Sequence, residues 1–219
     1  MMIKAIIFDM DGLMVDSETV TYDGCKYVLN KLGLDITKDF YKTTLGKTVK
    51  EGRQLYRDKY PSIDLDALFE QVYDYMDDVF TNEGVPIKKG LIELLEYLTD
   101  HNYIKMVASS STREHVEDVL SKADVLKYID DSICGDEVIN GKPNPEIFIK
   151  ACEKLNINTD EAIVLEDSEA GIEAAYNGHI PVICIPDMKY PDQKHVDMTF
   201  CLLDDLSQVI TLLESKKLA

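Results

Sequence analysis

Ile3-Lys4-Ala5-Ile6-Ile7-Phe8-Asp9-Met10-Asp11-Gly12 opens with a short, nearly continuous apolar run and ends on two acids and a turn residue. The length of the run and its β-branched content predict a strand over residues 3–8, buried on both faces as strands of a parallel sheet are. In open parallel sheets ligands bind outside the carboxyl ends of the strands. Asp9 and Asp11 therefore become candidate site residues. A single acid after a single strand is more often a turn or a helix cap, so the pair gains meaning only from the rest of the chain.

Working outward, residues 17–84 carry apolar positions at helical spacing, with Tyr27, Val28 and Leu32 followed by Leu65, Leu68, Phe69, Val72, Tyr73, Met76 and Val79. No strand is expected there. Past Gly84-Val85-Pro86 the pattern alternates. Helical spacing in Leu91, Leu94, Leu95 and Leu98 leads to a strand over 103–108. A helix over about 112–122 precedes a short strand at 132–134. The next helix starts near Pro145, then come a strand at 162–165, a helix at 168–176, an apolar run at 180–185, a segment at 200–203 and a last helix. Strands and helices in alternation imply right-handed βαβ units and a parallel sheet covered on both faces. The expected fold is α/β: a doubly wound parallel-sheet core from residues 1–16 and 85–219, interrupted after its first strand by an α-helical domain over 17–84.

Polar residues that follow the predicted strands form a short list: Asp9, Asp11 and Gly12, then Ser109, Ser110 and Ser111, then Glu166 and Asp167. Lys142 stands just before the helix that opens at Asn144-Pro145. So many carboxylates on one sheet edge would repel strongly unless a hard cation joined them. Oxygen ligands of this type suit Mg²⁺, which keeps several waters and is shared with a substrate phosphate. Asp9 is placed to act as a carboxylate nucleophile. Asp11, two residues on, is placed to pass a proton to a leaving group, an effect of about 10²–10⁴ in rate. Ser109, Ser110 and nearby N–H groups would hold phosphate oxygens, and Lys142 would add a point charge. Ser111-Thr112-Arg113-Glu114 reads as a capping box opening the next helix.

The formal net charge of -18 argues against nucleic acid or an anionic membrane as a partner. It also means that an anionic ester needs a locally positive site. The five cysteines form no C-x-x-C pair and read as small buried side chains in a reducing cytoplasm. No apolar run reaches the length of a membrane span, and nothing near the start reads as a signal peptide. Four scattered histidines offer no ligand spacing. Gly46-Lys47-Thr48 looks like the tail of a P-loop, but the motif needs a glycine at position 41, which is Tyr41. Lys47 and Thr48 are instead candidates for substrate contact from the helical domain. A monomer acting on a small-molecule phosphate ester is expected.

At these residues the chain resembles the haloacid dehalogenase-like superfamily over essentially its whole length. Asp9-Met10-Asp11-Gly12-Leu13 with Val15-Asp16-Ser17-Glu18 is similar to the first signature, Val107-Ala108-Ser109 to the second, Gly141-Lys142-Pro143-Asn144-Pro145 to the third, and Val164-Leu165-Glu166-Asp167-Ser168 to the fourth. The resemblance implies a Rossmann-like core and a small helical cap of the β-phosphoglucomutase and sugar-phosphate phosphatase subgroup, closing over the substrate. It implies Mg²⁺ held by Asp9, the main-chain carbonyl of Asp11 and Asp167, with Glu166 at or near the metal. β-Phosphoglucomutases have His, Lys and Arg where this chain has Thr21, Leu45 and Val49. A phosphatase for a sugar phosphate or similar metabolite is accordingly expected ahead of a hexose-phosphate mutase. A non-catalytic phospho-acceptor module is disfavoured by the long insert and the early Asp11-Gly12 turn.

Overall fold

The computed structural model describes residues 2–47 and 49–215. Six strands, β1 (Ala5–Phe8), β2 (Ile104–Ala108), β3 (Asp131–Ile133), β4 (Ala162–Glu166), β5 (Val182–Cys184) and β6 (Cys201–Leu202), form one sheet in the order β3-β2-β1-β4-β5-β6. Every pairing is parallel, with Phe8 opposite Val107 on one side and Leu165 on the other. The strand order reverses direction between β1 and β4, which is where a crevice opens in such sheets.

All four residues of β1 are fully buried. Ile6 and Phe8 face one apolar cluster, Ala5 and Ile7 the other, as the two-residue period of a strand requires. The first cluster is completed by α5 (Leu91–Asp100), α6 (Arg113–Lys122) and α10 (Ser207–Glu214), through Leu94, Leu98, Val116, Leu120 and Val209. The second is completed by α7 (Glu146–Leu155) and α8 (Glu169–Asn177), through Phe148, Ala151, Ile172 and Ala175. The core is doubly wound as expected.

The insert between β1 and β2 contains α1 (Ser17–Lys31), α2 (Lys38–Thr44), α3 (Val49–Lys59) and α4 (Leu65–Asn82), and no strand among its described residues. Apolar spacing puts Val28 and Leu29 of α1 against Leu68, Val72 and Met76 of α4. The chain leaves and re-enters the core at one point, where Asp16 N–H donates to the Pro86 carbonyl and Lys88 N–H to that of Met14, 2.8 and 2.9 Å.

Two local expectations change. The helix after β2 is capped by Thr112, whose hydroxyl accepts from His115 N–H at 3.4 Å, not by Ser111. Ser111 is engaged elsewhere, as shown below. The short helix α9 (Gln193–Val196), capped by Asp192, was not expected, because four residues are too few to display a helical period.

Candidate active site

Asp9 follows β1 directly, and its N–H continues the ladder to the Leu165 carbonyl of β4 at 3.0 Å. The turn after it depends on Gly12, which has a φ of 81°. A Cβ there would stand 2.5 Å from Asp167 Oδ2, so both conformation and space demand glycine. This contact brings the loop after β1 against the loop after β4.

Lys142 enters between them. Its ammonium donates to Asp9 Oδ1 at 2.5 Å, to Glu166 Oε1 at 2.7 Å and to the Ala108 carbonyl at 3.2 Å. All three ammonium hydrogens are thereby used. Burial works against the charge on Lys142, but the two carboxylates outweigh it and hold its proton more tightly than usual. Burial raises the Asp9 carboxyl, opposed by Lys142 and reinforced by Glu166 and Asp11.

Glu166 is wholly buried. Its Oε2 accepts from the N–H groups of Asp167 and Ser168, both 3.0 Å, and from the Ser168 hydroxyl at 2.9 Å. Those bonds, together with Lys142, account for both of its oxygens. A Cβ on Gly171 would lie 1.7 Å from Glu166 Oε1, so the first turn of α8 is built around this side chain. Glu166 thus orders Lys142 and the loop bearing Asp167, and it does not reach the cavity wall.

Asp11 points away from this cluster. Its Oδ1 accepts from the Ser17 hydroxyl at 2.9 Å and its Oδ2 from the Ser111 hydroxyl at 3.1 Å. Ser111 is therefore a partner of Asp11, which is why the capping role falls to Thr112. Ser109 is buried, with its Oγ accepting from Ser111 N–H at 3.1 Å, while Ser110 is exposed.

Asp9, Asp11, Ser109, Ser110, Lys142 and Asp167 line one cavity of about 450 Å³, and Lys47 lines its far side. Thr48, the other candidate from the helical domain, lies outside the described residues. Sequence reasoning missed five acids that also line this cavity, Glu18, Glu51, Glu169, Glu173 and Asp187. Asp187 follows β5 and was within reach of the strand-end rule; its Oδ1 takes Lys88 Nζ at 2.5 Å, and its buried Oδ2 has no partner among the described residues. Glu18 stands in the first signature but owes its position to Tyr41, which donates to it at 2.5 Å. That contact crosses between two helices and leaves no trace in local sequence. His195 also lines the cavity, beside Asp192 at 2.6 Å and Glu173 at 3.3 Å.

Single carboxylate oxygens of Asp9, Glu166 and Asp167 lie within 4.8 Å of one another. Burial, then Glu166, Asp9 and Asp187, push the Asp167 carboxyl well above its usual range. Lys142 alone does not balance this crowd of buried acids. An all-oxygen donor set with a deficit of positive charge fits a hard divalent cation.

The profile of the family described as haloacid dehalogenase-like hydrolase matches residues 6–185. The chain is 31% identical over 178 residues to a phosphorylated carbohydrates phosphatase of Thermotoga maritima, covering 81% of this chain and 82% of that protein. It is 26% identical over 219 residues to hexitol phosphatase B of Escherichia coli K12, covering 99% of this chain and 96% of the relative. The crystal structure of a β-phosphoglucomutase from Clostridium difficile superposes with a TM-score of 0.75 at 23% identity, over 99% of this chain and 97% of that one, a likeness of fold. The match begins in β1 and runs past β5, so it takes in the loops that carry Asp9, Asp11, Ser109, Lys142 and Asp167: this chain belongs to the haloacid dehalogenase-like hydrolase family.

Proposed function

We propose that the protein is a Mg²⁺-dependent phosphatase of small phosphorylated sugars or polyols, working through an aspartyl-phosphate. The observation that carries this reading is the division of labour between two acids at one strand end. Asp9 is held by Lys142 at 2.5 Å, while Asp11, two residues on, is held separately by Ser17 and Ser111.

An Asp9 oxygen attacks phosphorus as the ester P–O bond breaks, and Asp11 gives its proton to the departing alkoxide. Water then attacks the aspartyl-phosphate, Asp11 takes a proton back, and the Asp9 carboxylate and inorganic phosphate are restored. Ser109 and Ser110 hold the phosphoryl oxygens in place, and Lys142, whose donors are spent on Asp9, Glu166 and the Ala108 carbonyl, acts beside them as a point charge. Mg²⁺ would be held by the Asp9 and Asp167 carboxylates and the Asp11 carbonyl, and when bound it neutralises phosphoryl charge. The helical insert acts as the cap that excludes bulk water, with Lys47 facing the substrate.

Names of relatives support the substrate class: one acts on phosphorylated carbohydrates, another on hexitol phosphate. A mutase needs a second phosphate-handling group in the insert. Thr21, where mutases have His, is turned back to the Ser17 carbonyl at 2.8 Å and touches Met76 Sδ at 3.2 Å. The protein acts as a cytoplasmic monomer, its five cysteines unpaired as a reducing compartment leaves them.

Phosphate release from a panel of sugar and polyol phosphates with Mg²⁺ tests the reading. Turnover is expected for the wild type, with a loss of about 10³-fold or more in Asp9→Asn. Absence of turnover on every ester, or an Asp9→Asn variant as active as wild type, would overturn it.

A further inference from the structure

Glu18 is a half-buried acid that the aspartyl-phosphate chemistry leaves without a task. It sits in the first turn of α1, one residue after Ser17, whose hydroxyl holds Asp11. Tyr41 of α2 donates to its Oε2 at 2.5 Å, and Tyr41 is itself fixed by the ring of Tyr22, 5.5 Å between centroids. Among the described residues nothing bonds to Oε1, yet the residue lines the same cavity as Asp9 and Asp11. Burial raises its carboxyl to about 7, an effect that Tyr41 opposes and Asp11, Asp187 and Asp16 reinforce. With one oxygen tied to Tyr41 and the other unbonded among the described residues, the carboxyl offers an acceptor in this cavity to a ligand that carries a donor.

We propose that Glu18, clamped by Tyr41, accepts hydrogen bonds from hydroxyls on the alcohol half of the substrate, so that the site selects polyol over aryl or apolar leaving groups. The inference rests on the phosphatase reading and refines it. Asp11 meets the leaving oxygen, and Ser17 joins Asp11 to the helix turn that carries Glu18. The carbons next to the leaving oxygen therefore extend toward Glu18, and their hydroxyls meet its free oxygen. No bond is made or broken in this contact. Tyr41 is a positioning residue, since it acts through Glu18.

A site built to bond a hydroxyl discriminates strongly against ligands that lack one, because its own polar group is left unpaired. The experiment compares kcat and KM for wild type, Glu18→Ala, Glu18→Gln and Tyr41→Phe. Substrates are the best-used of sorbitol 6-phosphate, glucose 6-phosphate and glycerol 3-phosphate, and p-nitrophenyl phosphate, whose leaving group has no aliphatic hydroxyl. The ratio of kcat/KM for the polyol ester to that for the aryl ester is expected to fall about tenfold or more in Glu18→Ala, mainly through KM. Falls of about threefold or more are expected in Glu18→Gln, which preserves the shape of the site should the alanine variant not fold, and in Tyr41→Phe. A ratio within about twofold of wild type in both Glu18 variants would remove the assignment, as would a wild type that hydrolyses the aryl ester and none of the polyol esters. A wild type that turns over neither ester class fails the phosphatase reading itself, and the Glu18 assignment falls with it.

Discussion

Lys142 spends its whole hydrogen-bonding capacity inside the protein, on two carboxylates and a carbonyl. Removing one partner from a buried ion group leaves the others uncompensated, a loss of about 3–5 kcal/mol. Lys142→Met should show this in chemical denaturation with EDTA present. The loss should also depend on pH. Without the ammonium, which opposes the effect of burial on Asp9, that carboxyl keeps its proton in the folded state to a higher pH than in the unfolded chain. The folded variant then binds more protons than the unfolded one above the ordinary carboxylate range, so its stability falls as pH rises. The gap from wild type is expected to be wider at pH 8 than at pH 5, and a gap independent of pH would refute the ion-group account. At this scale the sequence was a good guide to Asp9, Asp11, Ser109, Lys142 and Asp167, because each follows or abuts a recognisable strand end. Glu166 was placed at or near the metal, and its carboxylate lies within 4.8 Å of those of Asp9 and Asp167. Only side-chain packing reveals that both of its oxygens are already taken.

At the scale of elements, the start of α6 divides two adjacent hydroxyls between structure and chemistry. Thr112 caps the helix while Ser111 bonds Asp11. Thr112→Ala should lower stability by about 1 kcal/mol with little effect on turnover. Ser111→Ala should do the reverse, lowering kcat severalfold with a smaller change in stability. Melting curves and kcat measured on both variants check this, and equal effects from the two would show that the roles are not separate. A capping-box pattern in sequence could not distinguish them, since either hydroxyl can cap and the competing acceptor lies far away in the chain. The strands of the core were legible for a different reason: burial on both faces leaves an apolar run that nothing else in a chain of this length imitates. Strand ends alone shifted, by a residue or two, as at β1, β2 and β6. Asp187 was overlooked although it lies just past β5, after Ile185 and Pro186. Its partner Lys88 comes from the return of the helical insert, a pairing that only tertiary structure supplies.

For the molecule as a whole, an excess of acid surrounds a site that must receive an anion. The formal charge of -18 is repeated in miniature around the cavity, where Lys47, Lys142 and Lys189 are outnumbered by acids that include Asp9, Asp11, Glu18, Asp167 and Asp187. Cation binding should consequently stabilise the folded state by mass action, about 2.7 kcal/mol at a hundredfold excess over Kd. Thermal melts in MgCl₂ against EDTA, at matched ionic strength, should show a rise in Tm that Asp167→Asn largely abolishes. An undiminished rise in that variant would place the ion elsewhere.

The neighbours of β1 arrive at very different times. Phe8 lies beside Val107 and Leu165, and the Asp9 N–H reaches the Leu165 carbonyl. During synthesis the first strand can gain its β2 neighbour and the helical insert while its other edge still waits for β4. Pairings this distant in sequence form slowly, because a long loop must close before any contact repays it. A chain ending after α6 would hold Asp9 and Asp11, the proposed nucleophile and proton donor, without Lys142, Glu166 or Asp167. Reactivity is thus withheld from the nascent polypeptide and conferred as one of the last events of its maturation.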